Sequence, residues 1–283
     1  MKLLRHGPKG QEKPGLLDAA GVIRDLSGVI PDVNGAALAP AALAKLAALD
    51  TSKLPVVEPG VRLGPCVTGM TNLVCIGLNY ADHAAETGAA VPKEPIVFLK
   101  SLGALNGPYD DIVIPKGSVK TDWECELCIV IGTTARYVSE EAAMDHVAGY
   151  AVGNDVSERH WQSERGPTWD KGKGFETFGP LGPYLVTKDE VPDPQNLKMW
   201  TDVDGKREQD GSTKTMIFGV RHLVHYVSQC ITLFPGDVIF TGTPPGVGLG
   251  KKPQPWFLKA GQEIRVGIEG MGEQRNRTVA FAG

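Results

Sequence analysis

Two glutamates interrupt a run that otherwise reads as buried, Asp122-Trp-Glu-Cys-Glu-Leu-Cys-Ile-Val-Ile131. Its centre alternates acid and apolar and then turns continuously apolar, which predicts a strand over 124–131. Successive strand side chains point to opposite faces, so Glu124 and Glu126 share one face while Trp123, Cys125 and Leu127 take the other. Such a segment either shows its acid face to solvent, as on the outside of an antiparallel strand, or neutralises two adjacent carboxylates inside the protein. Charged residues are mostly exposed, so the pair by itself favours the first arrangement. A third carboxylate, Asp155 in Gly153-Asn-Asp-Val-Ser157, closes another apolar run. An all-oxygen set of this kind suits a hard divalent cation, Mg²⁺, Mn²⁺ or Ca²⁺, rather than zinc.

The chain has 283 residues, enough for one large core and a smaller unit. Its net charge of −4 comes with no basic run, so no nucleic-acid partner is expected. No apolar stretch is long enough to span a bilayer, and the first residues reach Gly and Pro too early for a signal peptide, so a cytoplasmic protein without a membrane partner is expected. Five cysteines form no disulfide framework. Cys125 and Cys128 have the spacing of a redox or zinc pair, but on a strand they face opposite sides and read as small buried hydrophobes.

Short strand candidates at 2–5, 15–17 and 22–26, a helix at 38–49 and a Pro/Gly-punctuated connector at 53–69 make residues 1–69 a small N-terminal unit of α/β type. Residues 70–283 form the second domain. Strands are expected there at 73–76, 96–99, 111–114, 124–131, 148–152, 182–186, 199–203, 238–241 and 263–268, with helices at 140–146 and 215–233. Many short strands and few helices predict an α+β, β-rich protein and disfavour the βαβ alternation of a dinucleotide-binding fold.

Further motifs add chemistry. In Gly77-Leu-Asn-Tyr-Ala-Asp-His-Ala-Ala-Glu86, Asn79 or Asp82 could cap a short helix on which His83 and Glu86 share a face. A carboxylate beside an imidazole orients it as a general base, although a solvated surface pair has the same spacing. Arg159 and Gln162 follow Asp155 at roughly helical intervals, more polar convergence than a turn needs. Lys171 and Lys173, in a Gly/aromatic stretch, could hold a carboxylate or an oxyanion, or could be exposed loop lysines. The segment 235–250 runs from a strand into a Gly/Pro loop without the Lys-Ser/Thr ending of a P-loop. Thr243 in it could donate to a small ligand, or the loop could be a plain turn. His6, His146, His160, His222 and His225 lack acidic or cysteine partners at ligand-like spacing and read as surface or packing residues.

Together these segments resemble the fumarylacetoacetate hydrolase superfamily from about residue 72 to 272. The resemblance rests on Gly-Leu-Asn-Tyr-x-x-His-x-x-Glu, Asp-Trp-Glu-x-Glu-Leu, Asn-Asp-Val-Ser-x-Arg-x-x-Gln, Gly-Lys-Gly at 172–174, Thr-Lys-Thr-Met-Ile-Phe at 213–218 and Leu-x-Pro-Gly-Asp-Val-Ile-x-Thr-Gly-Thr-Pro. The chain is most similar to bacterial hydrolases of 2,4-diketo-3-deoxy sugar acids such as L-2,4-diketo-3-deoxyrhamnonate. It is nearly as similar to chains labelled ureidoglycolate lyase or 2-hydroxyhepta-2,4-diene-1,7-dioate isomerase. The resemblance implies a mixed β-sandwich roll, a homodimer or higher homo-oligomer, and Mg²⁺ or Mn²⁺ on Glu124, Glu126 and Asp155. It makes His83 and Glu86 a water-activating dyad on a lid over residues 81–92, and Lys173 a catalytic contact. It makes Lys100, Arg159, Gln162 and Thr243 substrate contacts. Glu176 stands where relatives often carry Asp. The implied reaction is hydrolytic C–C cleavage of a diketo acid to pyruvate and a short acid such as lactate, with oxaloacetate-type decarboxylation or dienedioate isomerisation as alternatives.

Overall fold

The computed structural model describes residues 1–88 and 90–283. Among them, one sheet has the spatial order Ile23–Asp25, Lys13–Leu17, Lys2–His6, Leu185–Thr187, Val147–Asn154, Cys125–Ile131, Val238–Phe240, Leu73–Gly77 and Ile96–Leu99. A second has the order Lys206–Ser212, Lys198–Val203, Glu263–Ile268, Gly272–Ala280 and Ile112–Ile114. Each sheet is mixed: Val238–Phe240 runs parallel to Leu73–Gly77, and Gly272–Ala280 runs parallel to Ile112–Ile114. The architecture is α+β and β-rich, as expected.

Cys125–Ile131 lies inside the large sheet, and both of its faces are covered. Trp123, Cys125, Leu127, Ile129 and Ile131 join a core with Met199, Val203, Ile264 and Val266 of the second sheet and with Val220, Leu223, Val224 and Val227 of the helix Val220–Cys230. Cys128 and Val130 pack on the other side with Leu3, Leu26, Leu38 and Phe240. Full burial of one such aliphatic side chain is worth roughly 1.5–3 kcal/mol, so a strand covered on two faces reads as a continuous apolar run. The strand also separates Cys125 from Cys128, and both are buried free thiols. Glu124 and Glu126 have the parity of Cys128 and Val130 but sit where the strand begins, beyond the apolar packing.

Register carries Asp155 to them. Glu126 lies opposite Gly153 and Cys125 opposite Asn154, and the Asp155 amide then donates to the Glu124 carbonyl at 2.9 Å. Gly153 must lack a side chain, because a Cβ there would come within 2.4 Å of the Cys128 sulfur.

Several elements differ from the sequence expectation. The helix expected at 215–233 occupies only Val220–Cys230, because the Ile217 and Phe218 amides donate to Asn79 O and Oδ1 at 2.7 and 2.8 Å instead of entering a helical ladder. The helix at 140–146 is a 3₁₀ turn, Ala143–His146. The strand at 182–186 starts later, at Leu185, after a turn in which Gly182 has φ +125°. Lys206–Ser212 and Gly272–Ala280 were not expected at all. Residues 1–69 hydrogen-bond into the large sheet, with Lys2 opposite Val186 and Leu3 opposite Leu185, and share a core with Cys75, Val130 and Phe240. No helix among the described residues is long and apolar enough to cross a membrane.

Candidate active site

Glu124, Glu126 and Asp155 each offer a carboxylate oxygen, the three lying within 4.8 Å of one another, and all three residues are buried. Their surroundings differ. Glu124 meets Lys173 at 2.6 Å and Arg159 at 2.8 Å. Burial pushes its pKa up, but these two cations outweigh burial and hold it at about 2. Asp155 is gripped from two sides, by Lys173 and by Lys100, each at 2.7 Å. Glu126 accepts the Gly242 amide at 2.8 Å and pairs with no basic side chain among the described residues. Burial and the charges of Asp155 and Glu124 drive its pKa well above the usual carboxylate range.

Four buried acids, Asp122, Glu124, Glu126 and Asp155, thus face three buried bases, Lys100, Arg159 and Lys173. The acid left without a basic partner is Glu126, beside two other carboxylates. A hard divalent cation with oxygen ligands answers both the excess and the donor chemistry, so the residues present fit such an ion.

Lys100, expected along the cavity wall, lies behind Asp155 instead. Its side chain is 0% exposed, and it donates to the carbonyls of Val156 and Phe178 at 3.2 and 3.0 Å and to that of Lys173. It positions Asp155 rather than facing a ligand. Lys173 is buried, with its ammonium 5.4 Å from the Phe98 ring centre, while Lys171 is exposed and bonds the Arg165 carbonyl.

His83 Nδ1 lies 3.1 Å from Glu86 Oε2 on the helix Ala81–Thr87. Glu86 in turn accepts the Gly246 amide with both oxygens at 3.1 Å. Burial raises the Glu86 pKa, but the His83 and Gly246 hydrogen bonds bring it below its ordinary value. The expected cap is absent: Tyr80 occupies the N-cap with no side-chain bond. Asn79 instead donates to the Phe218 and Thr241 carbonyls at 3.0 and 2.8 Å, and Asp82 accepts the Thr215 hydroxyl at 3.0 Å. The lid expected over 81–92 includes residue 89, which lies outside the described residues.

His83, Glu124, Glu126, Arg159, Gln162, Lys173 and Thr243 are among the residues lining one cavity of about 200 Å³. Ligand pockets run roughly 300–1,000 Å³, so this one suits a small ligand. Gln162 accepts from Arg159 Nη1 at 2.9 Å with its carbonyl, leaving its amide N–H groups for the cavity. Thr243 gives its hydroxyl proton to the Cys125 carbonyl and accepts from Gln209, both at 2.8 Å.

Two supporting residues escaped the sequence reading. Asp122 takes Arg159 Nε at 2.8 Å and the Gly248 and Leu249 amides at 2.7 and 3.0 Å. Its parity with Glu124 and Glu126 was the available signal. Gln209 ties the Cys125 amide at 3.0 Å to Thr243 and Pro244. It sits on a polar strand that carried no signal.

Residues 72–279 match the model of the fumarylacetoacetate (FAA) hydrolase C-terminal family. A Burkholderia cenocepacia (strain HI2424) protein, whose name specifies no more than hydrolase, is 63% identical over 98% of this chain and 99% of its own. The structure of fumarylacetoacetate hydrolase from psychrophilic Exiguobacterium antarcticum is 35% identical, with a TM-score of 0.85 over 99% of this chain and 100% of that one. The structure of 2-hydroxyhepta-2,4-diene-1,7-dioate isomerase from Mycobacterium marinum is 30% identical, with a TM-score of 0.76 over the whole of both chains.

Proposed function

The chain belongs to the fumarylacetoacetate hydrolase family, and on that premise we propose that it hydrolyses a carbon–carbon bond of a 2,4-diketo acid to pyruvate and a short acid. The observation that carries this reading is the opening of His83, Glu124 and Glu126 into a single small cavity, with Glu86 bonded to His83 and Asp155 grouped with the two glutamates. Within this class, the finer proposal is a 2,4-diketo-3-deoxy sugar acid of the rhamnonate type, with lactate as the second product.

Mg²⁺ or Mn²⁺ held by Glu124, Glu126 and Asp155 would supply Lewis-acid stabilisation of negative charge on the pyruvate half. His83 does the proton work. With Nδ1 turned to Glu86, Nε2 is the nitrogen that takes a proton from water as the water oxygen adds to the C4 carbonyl. Glu86 fixes the ring and stabilises the imidazolium. The Gln162 amide faces the oxyanion that develops on C4, a contribution of roughly 3–4 kcal/mol in comparable sites, while Lys173 holds Glu124 and Asp155 in place beneath it. When the C3–C4 bond breaks, its electron pair stays on C3, and the imidazolium returns the proton there.

The test is a panel of 2,4-diketo acids with products followed by NMR. Pyruvate and a second acid should appear together, and His83→Ala should lower kcat by roughly 10²–10⁴-fold. Near-wild-type turnover by His83→Ala would remove the base from the mechanism. The similarity to a dienedioate isomerase supports a second reading, in which a migrated double bond appears and no pyruvate is released. Release of carbon dioxide would mark a decarboxylase instead.

A further inference from the structure

The cavity has strong charge at its base and none to spare elsewhere. Its two lining cations, Arg159 and Lys173, are both committed to buried acids. Arg159 reaches Asp122 and Glu124 at 2.8 Å, and Lys173 reaches Glu124 at 2.6 Å and Asp155 at 2.7 Å. The cations nearest in sequence are also engaged. Lys251 pairs with Glu208 at 2.6 Å, Arg165 stacks 3.9 Å from the Trp161 ring centre, and Lys171 bonds a carbonyl.

The remaining wall is largely apolar, formed by Ile76, Phe98, Trp169, Val247 and Leu249. Trp169 packs edge-on to Phe98 with ring centres 5.5 Å apart. It lies flush on Gly77, where a Cβ would sit 2.2 Å from an indole carbon. The indole is therefore seated by the backbone as a fixed part of the wall.

From this we infer that the acyl arm of the substrate is short and uncharged, a neutral acyl group rather than one ending in a second carboxylate. The inference rests on the diketo-acid reading above and narrows it. A terminal carboxylate placed against this wall would lose its water and find no unpaired cation among the described lining residues. A neutral arm loses little water and buries its carbon on the aromatic pair.

Three acylpyruvates test this. Acetylpyruvate sets the baseline, and isocaproylpyruvate and succinylpyruvate have arms of nearly equal shape that differ in charge. We expect kcat/KM for isocaproylpyruvate to exceed that for succinylpyruvate by at least roughly tenfold, the least that an unpartnered carboxylate should cost. Calorimetric binding of the same acids to the His83→Ala protein should rank them alike. Leu249→Arg, which puts a cation on the wall, should narrow the ratio severalfold. Equal or preferred use of succinylpyruvate would overturn the neutral arm while leaving the hydrolase reading intact, and an unchanged ratio in Leu249→Arg would overturn the placement of the arm on this wall. If no acylpyruvate is cleaved, the hydrolase reading falls, and the calorimetric ranking alone decides the charge of the arm.

Discussion

Asp122→Asn is the substitution that most directly probes how the site is held. Asp122 is 0% exposed and makes no contact with the cavity, yet its two oxygens serve different parts of the structure. Oδ1 accepts the Trp123 and Gly248 amides at 2.9 and 2.7 Å. Oδ2 takes Arg159 Nε at 2.8 Å and the Leu249 amide at 3.0 Å. An asparagine must place its NH₂ at one of these positions, where it faces donors whichever way the amide turns. It also leaves Arg159 buried with one carboxylate partner fewer. Removing one member of a buried ion pair costs about 3–5 kcal/mol, and Arg159 keeps Glu124 at 2.8 Å, so the lower end of that range applies. At roughly 2–4 °C per kcal/mol for a chain of this size, the melting temperature should fall by about 6–12 °C in scanning calorimetry. The double variant Asp122→Asn/Arg159→Gln should recover at least about 1 kcal/mol relative to the sum of the single changes. A loss below about 1 kcal/mol, or strict additivity, would show that Asp122 is not the charge that holds Arg159 in place.

Glu126→Gln removes a carboxylate crowded by two others, so the metal-free protein should melt at the same temperature or higher, while the rise on adding Mg²⁺ or Mn²⁺ should shrink. Saturation at about 100 times Kd is worth about 2.7 kcal/mol in the wild type, and a metal-induced rise undiminished in Glu126→Gln would exclude it as a ligand. Gly250→Ala places a Cβ 2.6 Å from the Glu86 carboxyl carbon. It should displace Glu86 and lower kcat while leaving the metal-induced rise in melting temperature unchanged, and an unaltered kcat would refute the coupling. Alkylation of the native protein at pH 8 should add one label, at Cys230, because Cys66, Cys75, Cys125 and Cys128 are buried and burial pushes their thiols up, Cys66 to about 12. Intact-mass spectra showing several adducts would contradict that burial.

What could be read from the sequence was what local periodicity encodes. Parity along one strand put Glu124 and Glu126 together, and helical spacing put His83 beside Glu86. The place of Lys100 behind Asp155 is not legible in the sequence, because it depends on how the edge strand Ile96–Leu99 turns beneath Asp155, which no local pattern reports. The strand Gly272–Ala280 was invisible for a different reason. Its inward positions are Gln274, Asn276 and Thr278, polar residues that are buried because each bonds main-chain groups. A search for apolar alternation finds nothing there, since buried polar side chains that bond the main chain alternate with more exposed residues. The long helix was overextended because Ile217 and Phe218 have helical spacing but give their amides to Asn79, a partner far away in sequence.

Lys100 also bears on how the protein comes into being. Its single ammonium gathers carbonyls 56, 73 and 78 residues further along the chain. Loops of that length close late, after local hairpins have formed, because their entropy is recovered only when many distant contacts form together. The hairpin of Cys125–Ile131 with Val147–Asn154 already sets Asp155 beside Glu124, and Lys100 adds the last constraint on its carboxylate once those carbonyls are in place. The strands that carry Glu124, Glu126 and Asp155 are thus joined by one hairpin, whereas the final aim of the Asp155 carboxylate depends on chain brought in from much further away.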